Sequence, residues 1–233
     1  MMGKEYKVVL FDLDHTLWDY ELNCREALDE LYQHYQLLDR GIPDTLSFYE
    51  QFRKVNTELW DLYDRGLITN DVIRARRFSS ILGHFGIADD NLCGELSDVY
   101  LHHCPRKSNL LPHTHDVLDY LSGKYELSIV TNGFEEIQQV KLSGGNLNKY
   151  FAHLVTSQRA GYRKPAAEIF QYALKAHSAE PHEAIMIGDN LVTDIGGATN
   201  ASIDTIFFNP EKIDHDTDVH HEISCLSELK KIL

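Results

Sequence analysis

The stretch that decides the fold is 7–16, KVVLFDLDHT, in which an apolar run, Val8 to Phe11, stops abruptly at Asp12-Leu-Asp14-His-Thr16. A short β-branched run closed by a polar cluster predicts a strand buried on both faces that feeds a loop. Similar runs recur at 127–131, 154–157, 184–189 and 205–209, and the spacing between them is helical. Phe134, Ile137, Val140 and Lys141 begin one helix; Ile169, Phe170, Ala173 and Leu174 belong to another. Strands alternating with helices predict an α/β fold, a doubly wound, Rossmann-like parallel sheet.

Between the first two strands the chain runs for more than 100 residues, far beyond an ordinary crossover. Apolar spacing there is helical throughout. Leu28, Leu31, Tyr32, Tyr35 and Leu38 form one stripe, and Phe48, Phe52, Val55, Leu59 and Leu62 a second. Val72, Phe78, Ile81, Leu82 and Phe85 form a third, and Leu92, Leu96, Val99 and His103 a fourth. The expected organisation is a core of 1–16 and 108–233 with an all-helical cap, 17–107, inserted after the first strand. An insertion leaving the sheet at its ligand-binding edge is placed to cover a site there.

The chain has 22 Lys+Arg against 36 Asp+Glu in 233 residues, a formal net charge of −14. That balance argues against a nucleic-acid polymer or an anionic membrane as partner. It leaves room for a small anionic ligand met by one local cation. The longest apolar run near the N-terminus is too short for a membrane span or a signal-peptide core. Cys24, Cys93, Cys104 and Cys225 are widely spaced and read as reduced thiols, so a cytoplasmic protein is expected. The oligomeric state is not legible.

Four polar groups fall at or near strand ends, the edge at which open α/β sheets bind ligands. They are Asp12 and Asp14; Thr131-Asn132-Gly133; Lys164 before Pro165; and Asp189 with Asp194. Asp12 and Asp14 are two apart in extended chain and can face the same way. Three acids, Asp12, Asp14 and Asp189, are an odd set to gather without a cation, and hard oxygen donors suit Mg²⁺ rather than Zn²⁺. A carboxylate about 4 Å from a phosphate dianion is opposed by about 8 kcal/mol at an effective dielectric of 20. A divalent cation and Lys164 would offset that repulsion, so the constellation suits phosphoryl chemistry.

In order and in type, these four clusters resemble the four motifs of the haloacid dehalogenase-like superfamily, and the helical insertion resembles its cap. The resemblance implies that Asp12 is a nucleophile forming an aspartyl-phosphate and that Asp14 is the general acid and base. It implies that Thr131, the amide of Asn132 and Lys164 hold the phosphoryl oxygens, with Lys164 also orienting Asp12. It further implies a Mg²⁺ site of Asp12, the backbone carbonyl of Asp14 and Asp189, supported by Asp194 through water or Lys164. Thr16 is assigned to shaping the loop. An acid at Asp14 separates the chain from haloacid dehalogenases, which lack it there, and from the transport ATPases, which carry Thr. A phosphatase or a phosphomutase remains, beside a phosphoester-binding protein that has lost turnover.

Val55-Asn56-Thr-Glu-Leu59-Trp60, Arg77-Phe78 and the run from Thr131 through Phe134 to Gln138-Gln139-Val140 resemble the bacterial noncanonical pyrimidine 5′-nucleotidase branch. That resemblance implies a small phosphomonoester substrate, a pyrimidine nucleoside 5′-monophosphate, with Asn56, Trp60 and Arg77 as candidate substrate contacts. A sugar phosphate is the alternative. His15 departs from the Gly or Glu of many relatives. His113-Thr-His115 and the acidic, histidine-rich 214–221 read as solvated loops, and His102-His103 as the end of a cap helix.

Overall fold

The computed structural model describes residues 6–233; 1–5, which the expected core span included, lie outside the described residues. Five strands, β1 (Val8–Phe11), β2 (Glu126–Thr131), β3 (Phe151–Thr156), β4 (Ala184–Gly188) and β5 (Asp204–Phe208), are joined by a short sixth, β6 (His221–Ile223). They form one sheet in the order β3-β2-β1-β4-β5-β6, with every pairing parallel. The expected doubly wound α/β fold is therefore present. The order reverses at β1, which lies between β2 and β4, so the crevice at the carboxyl ends opens beside the first strand.

Every residue of β1, β4 and β5 is buried, as both-faced packing requires. One side chain cluster packs Val8, Leu10, Val130, Val155 and Met186 against Ile169, Phe170, Ala173 and Leu174. At about 1.5–3 kcal/mol for each fully buried large apolar side chain, this packing supplies the main drive for the sheet to form.

Helices α1 (Tyr20–His34), α2 (Thr45–Asp64), α3 (Asn70–His84) and α4 (Asp90–His103) occupy the long interval after β1. The later helices are α5 (Thr114–Ser122), α6 (Glu135–Gly144), α7 (Ser157–Ala160), α8 (Ala167–Ala176), α9 (Gly197–Asn200) and α10 (Leu229–Ile232). The chain separates into two units, one of the described residues up to Tyr20 with Ser108–Leu233, the other Glu21–Lys107. The first boundary lies four residues beyond the expected one, for a packing reason. Leu17 and Trp18 are fully buried, and Trp18 bridges to both Asp14 and Leu110. The Leu17 carbonyl accepts from Leu111 N at 2.9 Å, which ties 17–20 to the sheet-bearing unit.

Within Glu21–Lys107, the rings of Phe48, Phe52, Phe78 and Tyr100 meet with centroids 5.0–6.4 Å apart. Asp44 and Asp89 start α2 and α4 by accepting from Ser47 N and Leu92 N. The first expected stripe runs too far: α1 ends at His34, Leu37 is buried, and Leu38 is 60% exposed. Strand β6 is a second departure, since three residues are too few to carry a period-two signal. No disulfide joins the four cysteines. No helix among the described residues is long and apolar enough to cross a membrane.

Candidate active site

Asp12 follows β1 directly, its amide donating to the Ile187 carbonyl of β4 at 2.9 Å. That bond fixes the first acid against the strand whose end carries Asp189. Lys164, 2% exposed, sends Nζ between two carboxylates, 2.6 Å from Asp12 Oδ1 and 2.6 Å from Asp194 Oδ1. Carboxylate oxygens of Asp12, Asp189 and Asp194 all lie within 4.8 Å of one another. Among the described residues, no other group of three or more His, Cys, Asp or Glu side chains is gathered this closely.

Local backbone chemistry sets these positions. Asn190 accepts from Val192 N and Thr193 N, capping the turn Leu191–Gly196, and this leaves the Asp194 carboxylate for other donors. Instead Asp194 Oδ2 accepts from Asn190 N at 3.1 Å while Oδ1 takes Lys164. Asn132 pairs with the Lys164 main chain in both directions, Nδ2 donating to its carbonyl at 2.9 Å and Oδ1 accepting from its amide at 2.8 Å. The side chain of Asn132 thus fixes the backbone that presents the lysine. Thr16, expected only to shape its loop, donates from Oγ1 to Asp189 Oδ1 at 3.2 Å.

A second cluster surrounds Asp14. Lys141 Nζ donates to Asp14 Oδ1 at 2.6 Å, and Gln138 Nε2 donates to Asp14 Oδ2 at 2.8 Å. Gln138 Nε2 also lies 2.9 Å from Thr131 Oγ1, which accepts as well from Gly133 N at 3.0 Å. With both lone pairs of the Thr131 hydroxyl engaged, what it can offer a ligand is its hydrogen. In the sequence Gln138 enters only within the run that carries the nucleotidase resemblance, and Lys141 only as part of a helical stripe. The available signal is their i, i+3 spacing on one face of α6, beside the Thr-Asn-Gly cluster.

Electrostatics divides the acids. Burial drives the Asp12 carboxyl well above the usual range; Lys164 opposes that rise, and the charges of Asp194, Asp189 and Asp14 add to it. Burial and the neighbouring Asp194 push Asp189 up to about 7. Burial works against the Lys164 charge, but Asp12 and Asp194 outweigh it and hold the ammonium above an ordinary lysine. Burial also works against ionised Asp14, yet the Lys141 ammonium and the Gln138 amide keep this carboxyl below the usual range.

The candidate substrate contacts of the helical unit are placed within that unit. Arg77 is 5% exposed, its guanidinium 5.7 Å from the Phe52 ring centroid and 5.3 Å from that of Tyr100. The guanidinium is thus in cation–π range of two aromatic rings of its own unit. Asn56 is buried on α2, and the half-buried Trp60 meets Tyr63 edge-on at 5.4 Å. Two histidines of 214–221 sit beside acids of β5 and β6: His220 Nε2 lies 3.1 Å from Asp204, and His215 lies 3.4 Å from Glu222.

Comparison with known proteins places this geometry among relatives. The family model of haloacid dehalogenase-like hydrolases matches residues 9–208. The HAD-hydrolase YfnB of Bacillus subtilis is 31% identical over 99% of this chain and 96% of its own. A magnesium-bound crystal structure of YfnB superposes with a TM-score of 0.86 at 30% identity, covering 98% of this chain and 99% of that one. The pyrimidine 5′-nucleotidase PynA of Streptococcus pneumoniae is 32% identical over 91% of this chain and 87% of its own. A glyceraldehyde 3-phosphate phosphatase of Methanothermobacter thermautotrophicus is 28% identical over 97% of this chain and 99% of its own. With four motif clusters at the carboxyl edge of one parallel sheet and a family match running from β1 through β5, the chain belongs to the haloacid dehalogenase-like hydrolases.

Proposed function

We propose that this chain is a Mg²⁺-dependent phosphomonoesterase working through an aspartyl-phosphate at Asp12, with a pyrimidine nucleoside 5′-monophosphate as substrate. The observation that carries the reading is the buried ammonium of Lys164, 2.6 Å from both Asp12 and Asp194, in a site that also gathers Asp189.

Three carboxylates sharing one lysine leave the site short of positive charge, which is why burial raises Asp12 and Asp189. Oxygen donors alone in that trio fit a hard divalent cation. Asp12, Asp189 and the backbone carbonyl of Asp14 would hold it, with Asp194 acting through Lys164 or a water. Bound there, Mg²⁺ offsets the negative charge of the carboxylates and of the phosphoryl oxygens.

The chain's own groups divide the remaining work. Lys164 fixes one oxygen of Asp12, so the other attacks phosphorus. The bond from phosphorus to the leaving oxygen breaks as the bond to Asp12 forms; for Asp14 to give that oxygen a proton, it first exchanges its ion pair with Lys141 for one. Water then attacks the phosphoryl group and gives its proton to Asp14 as the acyl-phosphate bond breaks, restoring both acids. The Thr131 hydroxyl, the Asn132 amide and Lys164 are donors for the phosphoryl oxygens.

Kinship to PynA over 91% of the chain supports a nucleotide substrate. On the helical unit, Asn56 and Trp60 remain the proposed base contacts, and the burial of Arg77 between Phe52 and Tyr100 favours a packing role. A sugar phosphate is the second reading, favoured by the glyceraldehyde 3-phosphate phosphatase relative. Phosphate release from UMP, dUMP, dTMP, purine monophosphates and glyceraldehyde 3-phosphate, each with Mg²⁺, decides between them. Preference for the pyrimidine esters is expected. Faster release from the triose phosphate transfers the assignment to the second reading, and release from none contradicts both.

A further inference from the structure

The surroundings of Asp14 are closed on one side and open on another. Gln138, Lys141, Thr131 and Trp18, linked to its carboxylate directly or through one another, are each at most 5% exposed. The Asp14 side chain is itself 22% exposed, so it is reached from outside on the side those four do not cover. His15 and Tyr20 are both half-buried. The Tyr20 ring centroid lies 5.7 Å from Lys141 Nζ, which is 2.6 Å from Asp14 Oδ1. The His15 ring stacks on Tyr20 at 4.6 Å with the planes 34° apart, and the buried Trp18 meets the far end of the stack edge-on at 6.0 Å. Two partly open rings on a buried anchor thus border the exposed side of Asp14.

The backbone makes His15 the less expected of the two. Its φ is 60°, in the left-handed region, where a Cβ is strained and glycine is not. The turn requires that conformation: His15 N donates to the Trp18 carbonyl at 3.1 Å, and the amides of Leu17 and Trp18 return to the Leu13 carbonyl at 3.0 and 2.8 Å. Glycine would serve the same turn without strain, so the turn does not call for an imidazole. A stack on one tyrosine returns no more than such strain costs. A strained side chain directly after the expected proton-transfer group points to a use for its ring.

We propose that His15, seated on Tyr20, is the substrate contact for the part of the alcohol that borders the leaving oxygen, the ribose in a nucleoside monophosphate. The inference rests on the phosphatase reading above and extends it from chemistry to specificity. Asp14 is the group expected to meet the leaving oxygen, so the alcohol joined to that oxygen lies toward the exposed side of Asp14. An imidazole offers it a flat face for sugar carbons and a ring nitrogen for a hydroxyl. The phosphoryl group is assigned to other donors, so loss of the ring weakens the alcohol half of the substrate selectively.

The test measures kcat and KM for UMP and the inhibition constant of inorganic phosphate, all with Mg²⁺, in the wild type, His15→Gly and His15→Asn. Glycine fits the turn, and asparagine tolerates the same backbone with a shorter side chain and no ring. Each variant is expected to raise KM for UMP at least fivefold, with kcat within threefold and the phosphate constant within twofold of wild type, the pattern of lost uniform binding. A parallel rise in KM and in the phosphate constant marks a displaced loop and overturns the contact. So does an unchanged KM, or a fall in kcat alone. If His15→Asn does not fold, His15→Gly, which the turn accepts without strain, decides alone. A wild type that prefers glyceraldehyde 3-phosphate is measured with that ester, and the same outcomes decide, since the contact is to the carbons next to the leaving oxygen. A wild-type chain that releases phosphate from no ester contradicts the phosphatase reading itself, and the contact with it.

Discussion

Gly188 and Asp194 occupy one volume: a Cβ built on Gly188 would stand 2.3 Å from Asp194 Oδ2 and 2.5 Å from its Cγ. Glycine at the end of β4 is therefore what lets the Asp194 carboxylate lie against the strand and reach Lys164. Gly188→Ala must displace that carboxylate or the strand, an overpacking that costs about 1–3 kcal/mol. The expected outcome is a lower melting temperature together with at least a tenfold loss of kcat, read by thermal unfolding and phosphate release. An alanine variant with wild-type melting and rate contradicts the role given to Asp194.

Arg77 makes a sharper case of burial against function. Its guanidinium lies against the faces of Phe52 and Tyr100. At about 1 kcal/mol for each such contact, Arg77→Ala is expected to cost about 2 kcal/mol of stability. It should leave KM for the preferred nucleotide within about twofold below the melting temperature. A large rise in KM without loss of stability would return Arg77 to the substrate contacts.

The polar groups at the strand ends are legible in the sequence because a polar residue closing an apolar run has few bland explanations. Asp12, Thr131 and Asp189 each directly end or follow a buried strand, and parallel pairing brings those ends to one edge. Lys141 is not legible in the same way. It closes a helical stripe begun by Phe134 and Ile137, and its partner Asp14 lies 127 positions away. Only the fold reveals that pairing. Trp18 misleads for a related reason, since an aromatic just past the first motif reads as the start of the insertion until its bridge to Leu110 is known. Arg77 reads as a candidate substrate contact because nothing local signals that Phe52 and Tyr100 pack around it.

Acidity of the trio predicts how cation binding depends on pH. Burial and Asp194 raise Asp189 to about 7, and Asp12 is raised too, so protons compete with the cation below that pH. A carboxyl raised above its unfolded value destabilises the cation-free fold progressively as pH climbs from about 4 through 7. Mg²⁺ bound at the trio, as proposed, would relieve the penalty once the proton has left. With one proton displaced near pH 7, the stabilisation by Mg²⁺ should be about 1.4 kcal/mol greater at pH 8 than at pH 6, a few degrees in melting temperature. Thermal unfolding with and without Mg²⁺ at the two values checks this. A gain that is equal at both, or larger at pH 6, contradicts the acid trio as the cation site.

The most direct test of the account is where the phosphoryl group rests between its two transfers. Wild-type protein turning over UMP with Mg²⁺ is quenched in acid and digested, and the phosphorylated peptide is mapped by mass spectrometry. The prediction is one phosphoryl group on the peptide containing Asp12, localised to that residue and absent from an Asp12→Asn variant that no longer releases phosphate. A phosphoryl group on any other side chain, or sustained phosphate release by Asp12→Asn, would contradict it.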